Sequence, residues 1–347
     1  MNFQELFGTT LPIIQAPMAG VQGADLAAAV SNAGGLGSLP CAMLSVEGLQ
    51  KELQILQSET HQPFNVNFFC HRQPNYDAIR ETRWQETLLP YFNEMGLDLK
   101  AIVSGPGRFP FNHESADVLE KVRPAVVSFH FGLPSSDLVA RVKSWGSKVI
   151  SSATTVEEAS WLQDEGVDAI IAQGLEAGGH RGMFLSEDIR TQVGTFALLP
   201  QVVASVSIPV IAAGGIADAA GVAAAMALGA VGVQVGTAFL LCHETTTSSV
   251  HKAALSSPSA RETALTNLFS GRPARGIVNR IMQEQGPISA TVPAFPFAPA
   301  ALAPLRTHAE ASGSGDFSPL WAGQNASTCK SVPASEIVRE LAEFHLL

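Results

Sequence analysis

Two glycine-ended apolar runs lie close together in the second half of the chain: Pro209-Val210-Ile211-Ala212-Ala213-Gly214-Gly215-Ile216-Ala217 and Val231-Gly232-Val233-Gln234-Val235-Gly236-Thr237. Each run indicates a strand buried on both faces, because such parallel strands are almost continuously apolar. The residues between them, 218–228, have a helical pattern that begins at Asp218, a residue type that caps helix N-termini. A strand, a helix and a strand joined by short loops predict two neighbouring parallel strands.

The same alternation continues along most of the chain. Apolar runs predict eight strands, at 12–18, 36–39, 64–69, 125–131, 148–152, 169–174, 209–214 and 231–237. Helical patterns lie at 24–33, 45–58, 134–145, 155–164, 196–205 and 218–228. Eight strands alternating with helices predict an α/β fold, a (β/α)8 TIM barrel over residues 1–240. An open doubly wound sheet is the alternative, but no G-x-G-x-x-G follows the first strand.

Three segments fall outside the barrel pattern. Residues 70–123 are proline-rich and contain a ninth apolar run, 101–104, so we expect an excursion from the barrel there. Residues 241–330 are rich in Ser, Thr, Pro and Ala, with helical pieces near 249–255 and 260–269. They predict a smaller α/irregular domain that caps the C-terminal face of the barrel on the substrate side. Residues 331–347 predict a C-terminal helix that packs back on the barrel.

Composition excludes several classes of partner. The formal net charge of −10 argues against nucleic acid or an anionic membrane surface, although local cationic groups can still bind a small anion. Two long runs contain no charged residue, 191–217 and 219–242. Prolines interrupt the first and a change from helical to strand pattern interrupts the second, so both indicate core and no membrane span. The N-terminus has no signal-peptide pattern. Four widely spaced cysteines suggest reduced thiols in a cytoplasmic protein, which we expect to be a monomer or homodimer.

Small residues end the last two predicted strands, where TIM barrels commonly bind phosphate. Backbone N–H groups at Gly214–Gly215 and Gly236–Thr237, with the helix that starts at 218, predict an anion cradle. The alternative is that these glycines only form tight turns. The amides of Asn67, Gln173 and Gln234 lie at or near strand ends and suit a flavin or nucleotide ring edge, or else form hydrogen bonds with other side chains inside the barrel. Met18 ends the first strand and is placed either over a planar ring or in the core.

Two histidines are candidate catalytic groups. His180 lies in the loop Ala172-Gln173-Gly174-Leu175-Glu176-Ala177-Gly178-Gly179-His180-Arg181-Gly182, and His130 ends the fourth strand. Barrel geometry directs both towards the same mouth. No carboxylate pair accompanies them, so a metal site is not predicted. The basic loop 270–276 is either an approach to the ligand, through Arg272 and Arg275, or a solvated turn.

These motifs together resemble the nitronate monooxygenase family, formerly called 2-nitropropane dioxygenases, in its class I branch. The resemblance covers most of the chain and is most specific in Gln173–Gly182 together with Phe129-His130-Phe131-Gly132. It implies oxidation of alkyl nitronates, such as propionate 3-nitronate, with O2 to a carbonyl compound and nitrite by way of a flavin semiquinone. It also implies His180 as the base or anion-stabilising group and His130 as a second group at the substrate.

The resemblance further implies FMN as the cofactor. The residues that would hold it are Met18, Ala19, Gly20, Asn67, Gln173, Gly178, Gly215, Gln234, Val235, Gly236 and Thr237. Similar enzymes carry Tyr and Lys in the segment that matches 292–306, whereas this chain has neither there, which predicts a more apolar pocket. An FMN-dependent NAD(P)H reductase and a non-catalytic flavin-binding protein are the alternatives, and the two histidine motifs favour the monooxygenase.

Overall fold

The computed structural model describes residues 2–103 and 108–346. Its strands in chain order are β1 (Ile13–Gln15), β2 (Gly37–Pro40), β3 (Phe64–Phe69), β4 (Val126–His130), β5 (Lys148–Ala153), β6 (Ala169–Gln173), β7 (Gly179–His180), β8 (Val210–Ala213), β9 (Gly232–Val235), β10 (Thr263–Thr266) and β11 (Ala274–Ile277). Eight of them form one parallel sheet in the order β1-β9-β8-β6-β5-β4-β3-β2. A bridge between Ile14 and Leu36 joins its two edges. The predicted TIM barrel is therefore confirmed.

The helices lie between the strands and after them. In chain order they are α1 (Phe3–Phe7), α2 (Ala24–Asn32), α3 (Val46–Glu59), α4 (Ala78–Glu94), α5 (His113–Val122), α6 (Ser136–Ser144), α7 (Val156–Asp164), α8 (Thr195–Ser205), α9 (Ala219–Ala227), α10 (Ser249–Leu255), α11 (Arg280–Glu284), α12 (Pro299–Ala311) and α13 (Ala334–Ala342). Asp218 caps α9 as predicted, since its side chain accepts from the Gly221 N–H at 2.8 Å. Among the described helices, none is long and apolar enough to cross a bilayer.

The barrel has two apolar layers. Inward-facing side chains such as Ile14, Ile150 and Ile211 fill its interior, and α1 adds Phe3 and Phe7 to that cluster. The alternate residues of the same strands pack outward against the helices, in a larger cluster that also includes α13. Because strand side chains alternate in direction, a run that is apolar at every position satisfies both layers. This packing holds the carboxyl ends of the strands as a rigid rim.

The predicted excursion, residues 70–123, contributes its two helices to two different hydrophobic clusters. Helix α5 packs in the main cluster beside α3 and α6, as the barrel helix that follows β3. Helix α4 instead contributes Trp84, Leu88 and Phe92 to a second cluster with α11 and α12. The strand predicted at 101–104 is wrong over its described part: Leu99–Ala101 is a 3-10 turn, 102–103 are irregular, and Ser104 lies outside the described residues.

A small antiparallel sheet lies outside the barrel. Strands β10 and β11 form a hairpin, and β11 also pairs with β7 through Ala274–His180 and Arg275–Gly179. The helical piece predicted near 260–269 is therefore wrong, because residues 263–266 are a strand. The run Thr263-Ala264-Leu265-Thr266 is too short to show a period, and its conformation depends on partners that are distant in sequence.

Candidate active site

A cavity opens at the carboxyl ends of the barrel strands and brings most of the predicted site residues together. The predicted residues that line it are Met18, Ala19, Asn67, His130, Gln173, Gly178, His180, Gly215, Gln234, Gly236 and Thr237. Two others are not in its wall: Gly20 is exposed, and the Val235 side chain packs in the outer barrel core. The loops after six different strands thus converge on one site.

His180 is surrounded by aromatic rings. The centroids of Phe69, Phe131, Phe295 and Trp321 lie 6.0, 5.8, 5.6 and 5.6 Å from that of its imidazole. Burial among these rings disfavours the cation and, together with nearby cationic groups, holds the pKa of His180 well below its usual value of 6.5. Without a bound anion, the imidazole is therefore neutral near pH 7.

The hydrogen bonds of Ser270 define the tautomer of His180. The Ser270 Oγ lies 2.8 Å from His180 Nε2 and donates to the Arg272 carbonyl at 3.2 Å. Because that carbonyl only accepts, we assign the hydroxyl proton to it and the imidazole proton to Nε2. The other ring nitrogen, Nδ1, then carries a free lone pair and has no hydrogen-bond partner among the described residues. His180 therefore presents a proton acceptor within the cavity wall.

His130 has both ring nitrogens engaged. Its Nε2 lies 3.2 Å from the His180 carbonyl and its Nδ1 lies 3.1 Å from Ser152 Oγ. Since burial lowers the pKa of His130 to about 4, the ring is neutral, with Nε2–H donating to the carbonyl and Nδ1 accepting from the serine. This arrangement fixes the backbone of His180. It leaves His130 no ring nitrogen for a proton from a ligand.

Gln173 and Arg181 hold the His180 loop from beneath. The Gln173 amide donates to the His180 carbonyl at 3.0 Å and accepts from the Gly182 N–H at 2.7 Å. Arg181 is fully buried and donates to the carbonyls of Gln173 and Gly174, both at 2.6 Å. The Gln173 amide thus has hydrogen-bond partners within the protein. Its pairing with a flavin or nucleotide ring edge stays a prediction. A buried guanidinium that satisfies carbonyls in this way makes the loop rigid.

The other two predicted amides keep an acceptor for a ligand. Asn67 donates through Nδ2 to the hydroxyl and carbonyl of Ser128 at 2.9 and 3.2 Å, and its Oδ1 has no partner among the described residues. Gln234 Oε1 is buried and likewise has no partner within 2–103 and 108–346. A buried amide oxygen without a donor is costly unless a ligand supplies one. Both oxygens therefore suit the donor groups of a bound molecule.

The glycine loops differ in what the backbone requires. Gly214 and Gly215 have φ values of +116° and +74°, a region that side chains rarely adopt, so the turn itself favours glycine there. Gly236 has φ −115°, which any residue adopts, and its missing Cβ would meet only Ala16 at 3.3 Å and Met18 at 3.7 Å. The positive φ values of Gly214 and Gly215 support the tight-turn alternative. The space beside Gly236, where the backbone does not require glycine, supports the anion cradle.

The segment 321–325 closes over these loops. The Gly323 N–H donates to Thr237 Oγ1 at 2.9 Å, and Asn325 Nδ2 donates to the Gly215 carbonyl at 3.2 Å. A Cβ on Gly178 would lie 2.5 Å from the Gly323 nitrogen, so this close approach requires glycine at 178. The loops after β6, β8 and β9 are thereby joined to one strap.

Sequence reasoning missed several residues of the cavity. Arg108 and His251 both line it: Arg108 lies in an irregular segment, and His251 lies in the helical piece predicted near 249–255, where nothing in the sequence indicated that it faces a ligand. His251 is 3% exposed, its Nε2 has no partner among the described residues, and burial lowers its pKa to about 4. Of the two arginines predicted in the basic loop, Arg275 donates to the Leu175 carbonyl at 2.9 Å, and Arg272 stacks over the Phe131 ring at 4.4 Å. The described residues contain no cluster of metal-ligating side chains.

Comparisons with known proteins place this geometry in context. A family model described as "Nitronate monooxygenase" matches residues 2–343. The chain is 44% identical over 351 residues to a nitronate monooxygenase of Pseudomonas aeruginosa, covering 99% of this chain and 98% of that protein. Among solved structures it resembles a nitroalkane oxidase from Streptomyces ansochromogenes, with TM-score 0.89, 38% identity and 99% of each chain covered. It also resembles FabK from Thermotoga maritima, with TM-score 0.73, 29% identity, and 99% and 96% coverage.

Proposed function

Because this chain belongs to the nitronate monooxygenase family, we propose that it oxidises alkyl nitronates with O2, using FMN, to a carbonyl compound and nitrite. Family membership makes it an oxidoreductase that acts on nitronates. The observation that carries the finer proposal is the position of His180 in the wall of a cavity at the mouth of the barrel, with no hydrogen-bond partner for Nδ1 among the described residues. Propionate 3-nitronate is the substrate on which we base the tests.

The residues present fit FMN. When bound, FMN supplies the ring that accepts electrons from the substrate. Gln234 Oε1 is a buried acceptor in need of a donor, Asn67 Oδ1 is a further acceptor without a partner among the described residues, and a flavin has donors in its ring N–H and ribityl hydroxyls. The backbone at Gly215 and from Gln234 to Thr237 would hold the phosphate, near the start of α9, and Met18 and Ala19 would contact the ring.

The chain's own groups then act on the substrate. His180 Nδ1 accepts a proton from the α-carbon of a neutral nitroalkane, or pairs as an imidazolium with a preformed nitronate. The rings of Phe69, Phe131 and Phe295 surround the imidazole and limit its contact with water. His130 and Gln173 hold the His180 carbonyl and thereby the direction of the imidazole. The structure thus supports the proposal that His180 is the base and that His130 and Gln173 hold it in place.

We also place the enzyme in the cytoplasm, since all four of its cysteines are free.

An anaerobic mixing experiment tests the proposal. Purified protein should carry one non-covalent FMN per chain, identified by mass after denaturation. Mixing with propionate 3-nitronate in the absence of O2 should change the flavin absorbance rapidly, whereas NADPH should not. Readmission of O2 should restore the oxidised spectrum and yield nitrite.

The NADPH arm is the internal control for the reductase alternative. Rapid bleaching by NADPH together with no response to the nitronate would establish a reductase instead. Released FAD, or a colourless protein that stays colourless when FMN is added, would contradict the cofactor.

A further inference from the structure

Arg108 enters the cavity from the excursion between β3 and β4. Its half-buried side chain lines the wall, and the guanidinium carbon lies 5.4 Å from the centre of the Phe295 ring. Its carbonyl accepts from Gln73 Nε2 at 2.7 Å and from His71 Nε2 at 3.0 Å. Because burial lowers the pKa of His71 to about 4, that ring is neutral, and the contact to the carbonyl identifies Nε2 as its protonated nitrogen. The backbone of Arg108 is therefore fixed.

The charge of Arg108 is not neutralised by the protein. Within residues 2–103 and 108–346 no carboxylate lies within ion-pair distance of it. The one carboxylate in the cavity wall, that of Glu176, accepts from the Thr195 N–H and hydroxyl, both at 2.8 Å. A partly desolvated cation without an anionic partner is unfavourable unless a ligand supplies the charge.

Other cations near His180 are placed differently. Arg272 lies over Phe131, donates to the Met183 carbonyl at 3.4 Å and lies 3.8 Å from the exposed Glu187 carboxylate, and it is not part of the cavity wall. The segment 292–305 contains no lysine or arginine and contributes the Phe295 ring on which Arg108 rests. Arg108 is thus the arginine that the cavity wall presents to a ligand.

We propose that Arg108 binds the negative charge of the substrate and selects the nitronate over the neutral nitro compound. This inference rests on the proposed function for the identity of the substrate, but the anion site itself does not. A nitronate and its parent nitroalkane differ by one proton, so shape alone separates them poorly. A guanidinium beside the planar, charged nitro group separates them by a charge-assisted hydrogen bond.

The test measures binding of a charged and a permanently neutral probe. Nitrate serves as an inert planar anion, and 2-methyl-2-nitropropane as a nitro compound that has no α-proton to lose. In Arg108→Gln the dissociation constant of nitrate and the KM for propane-2-nitronate should rise by about 10- to 100-fold, the effect of one lost charged hydrogen bond. The dissociation constant of 2-methyl-2-nitropropane should stay within about threefold, since no ion pair is lost and the glutamine amide can still donate a hydrogen bond to a nitro oxygen.

Two variants serve as controls. Arg108→Lys keeps the charge and should recover part of the nitrate affinity, which a purely structural role would not predict. Arg83→Gln removes an exposed arginine of α4 and should change neither probe. Melting temperatures check that each variant is folded.

Two outcomes would overturn the inference: unchanged nitrate binding in Arg108→Gln, or equal weakening of the charged and neutral probes. Failure of the wild type to oxidise any nitronate would instead refute the proposed function. In that case a loss of nitrate binding in Arg108→Gln would still establish the anion site.

Discussion

The two histidines at the cavity have different duties because of their hydrogen bonds. Both are neutral, since burial lowers the pKa of each. His130 uses Nε2 on the His180 carbonyl and Nδ1 on Ser152, whereas His180 uses only Nε2, on Ser270. For the proposed function, this difference favours His180 for proton transfer and His130 for positioning.

We expect His180→Asn to separate two kinds of substrate. A neutral nitroalkane needs a base, and loss of a general base typically costs about a hundred- to ten-thousand-fold. A preformed nitronate needs none, so its turnover should fall much less. The measurement compares kcat/KM for a nitroalkane and its nitronate in wild type and variant. Because the pKa of His180 is held below 6.5, wild-type activity on the nitroalkane should not decline through protonation of this residue until the pH is below that value.

Flavin content in His180→Asn must equal that of the wild type for the comparison to hold. Equal, small losses on both substrates would show that His180 is not the base.

For single residues, the sequence indicated which side chains line the cavity but not their protonation states or tautomers. The motif around His180 and the end of the fourth strand predicted two histidines at one mouth, and they lie in hydrogen-bond contact through the His180 carbonyl. The tautomer depends on Ser270, 90 residues further along the chain. Neither Arg108 nor His251 was predicted as a cavity residue, because both reach the cavity only through tertiary packing, Arg108 from an irregular segment and His251 from α10.

Among the elements, the loops after β8 and β9 form the proposed phosphate site. The start of α9 follows Gly214–Gly215, and the strap at 321–325 closes over both loops. Helix N-termini and clustered N–H groups favour a phosphate.

Substitutions at Gly215 separate the turn from the cradle. Gly215→Asn and Gly215→Asp are close in size and carry nearly the same backbone strain at φ +74°, at most about 1–2 kcal/mol. The aspartate alone adds a negative charge near the proposed phosphate. We therefore expect similar melting temperatures for the two apo-proteins but much lower FMN occupancy for Gly215→Asp.

Occupancy is measured as the ratio of flavin to protein absorbance after dialysis against FMN. Equal occupancy in both variants would mean that the glycine serves only the turn.

The elements that the sequence predicted well are those that have a long apolar or periodic pattern. Eight buried strands appear as apolar runs because each satisfies both layers of the barrel. The β10–β11 hairpin was missed because Thr263–Thr266 and Ala274–Ile277 are short and mixed in polarity. Their pairing with each other and with β7 is tertiary information.

For the whole molecule, buried neutral histidines link stability to pH. His71, His130 and His251 each have a pKa lowered from 6.5 to about 4, with burial as the main cause. The unfolded chain therefore binds more protons than the folded protein between these values. Stability is fully present above pH 6.5 and is lost as the pH falls towards 4.

We expect the free energy of unfolding to fall by about 1–3 kcal/mol per buried histidine over that interval. Urea unfolding of the apo-protein at about pH 7.5 and pH 5 measures the change, since most carboxylates are still ionised at pH 5. His251→Gln should reduce the difference, whereas the same change at the exposed His61 should not. An unchanged difference in His251→Gln would contradict the assignment.

The pairing of β7 with β11 affects how such a protein can diverge. Within the described residues, the strand that carries His180 has β11 as its one ladder partner, and the loop between β10 and β11 supplies Ser270. The glycine loops belong to β8 and β9. Strand β11 is bridged to the strap at 321–325 through Gly276 and Trp321, so substitutions in the loop around Ser270, and not those in β11, would redirect His180 without reaching the proposed phosphate site. After gene duplication, descendants would keep the proposed phosphate site and could acquire new substrates by changing a few residues of the hairpin loop.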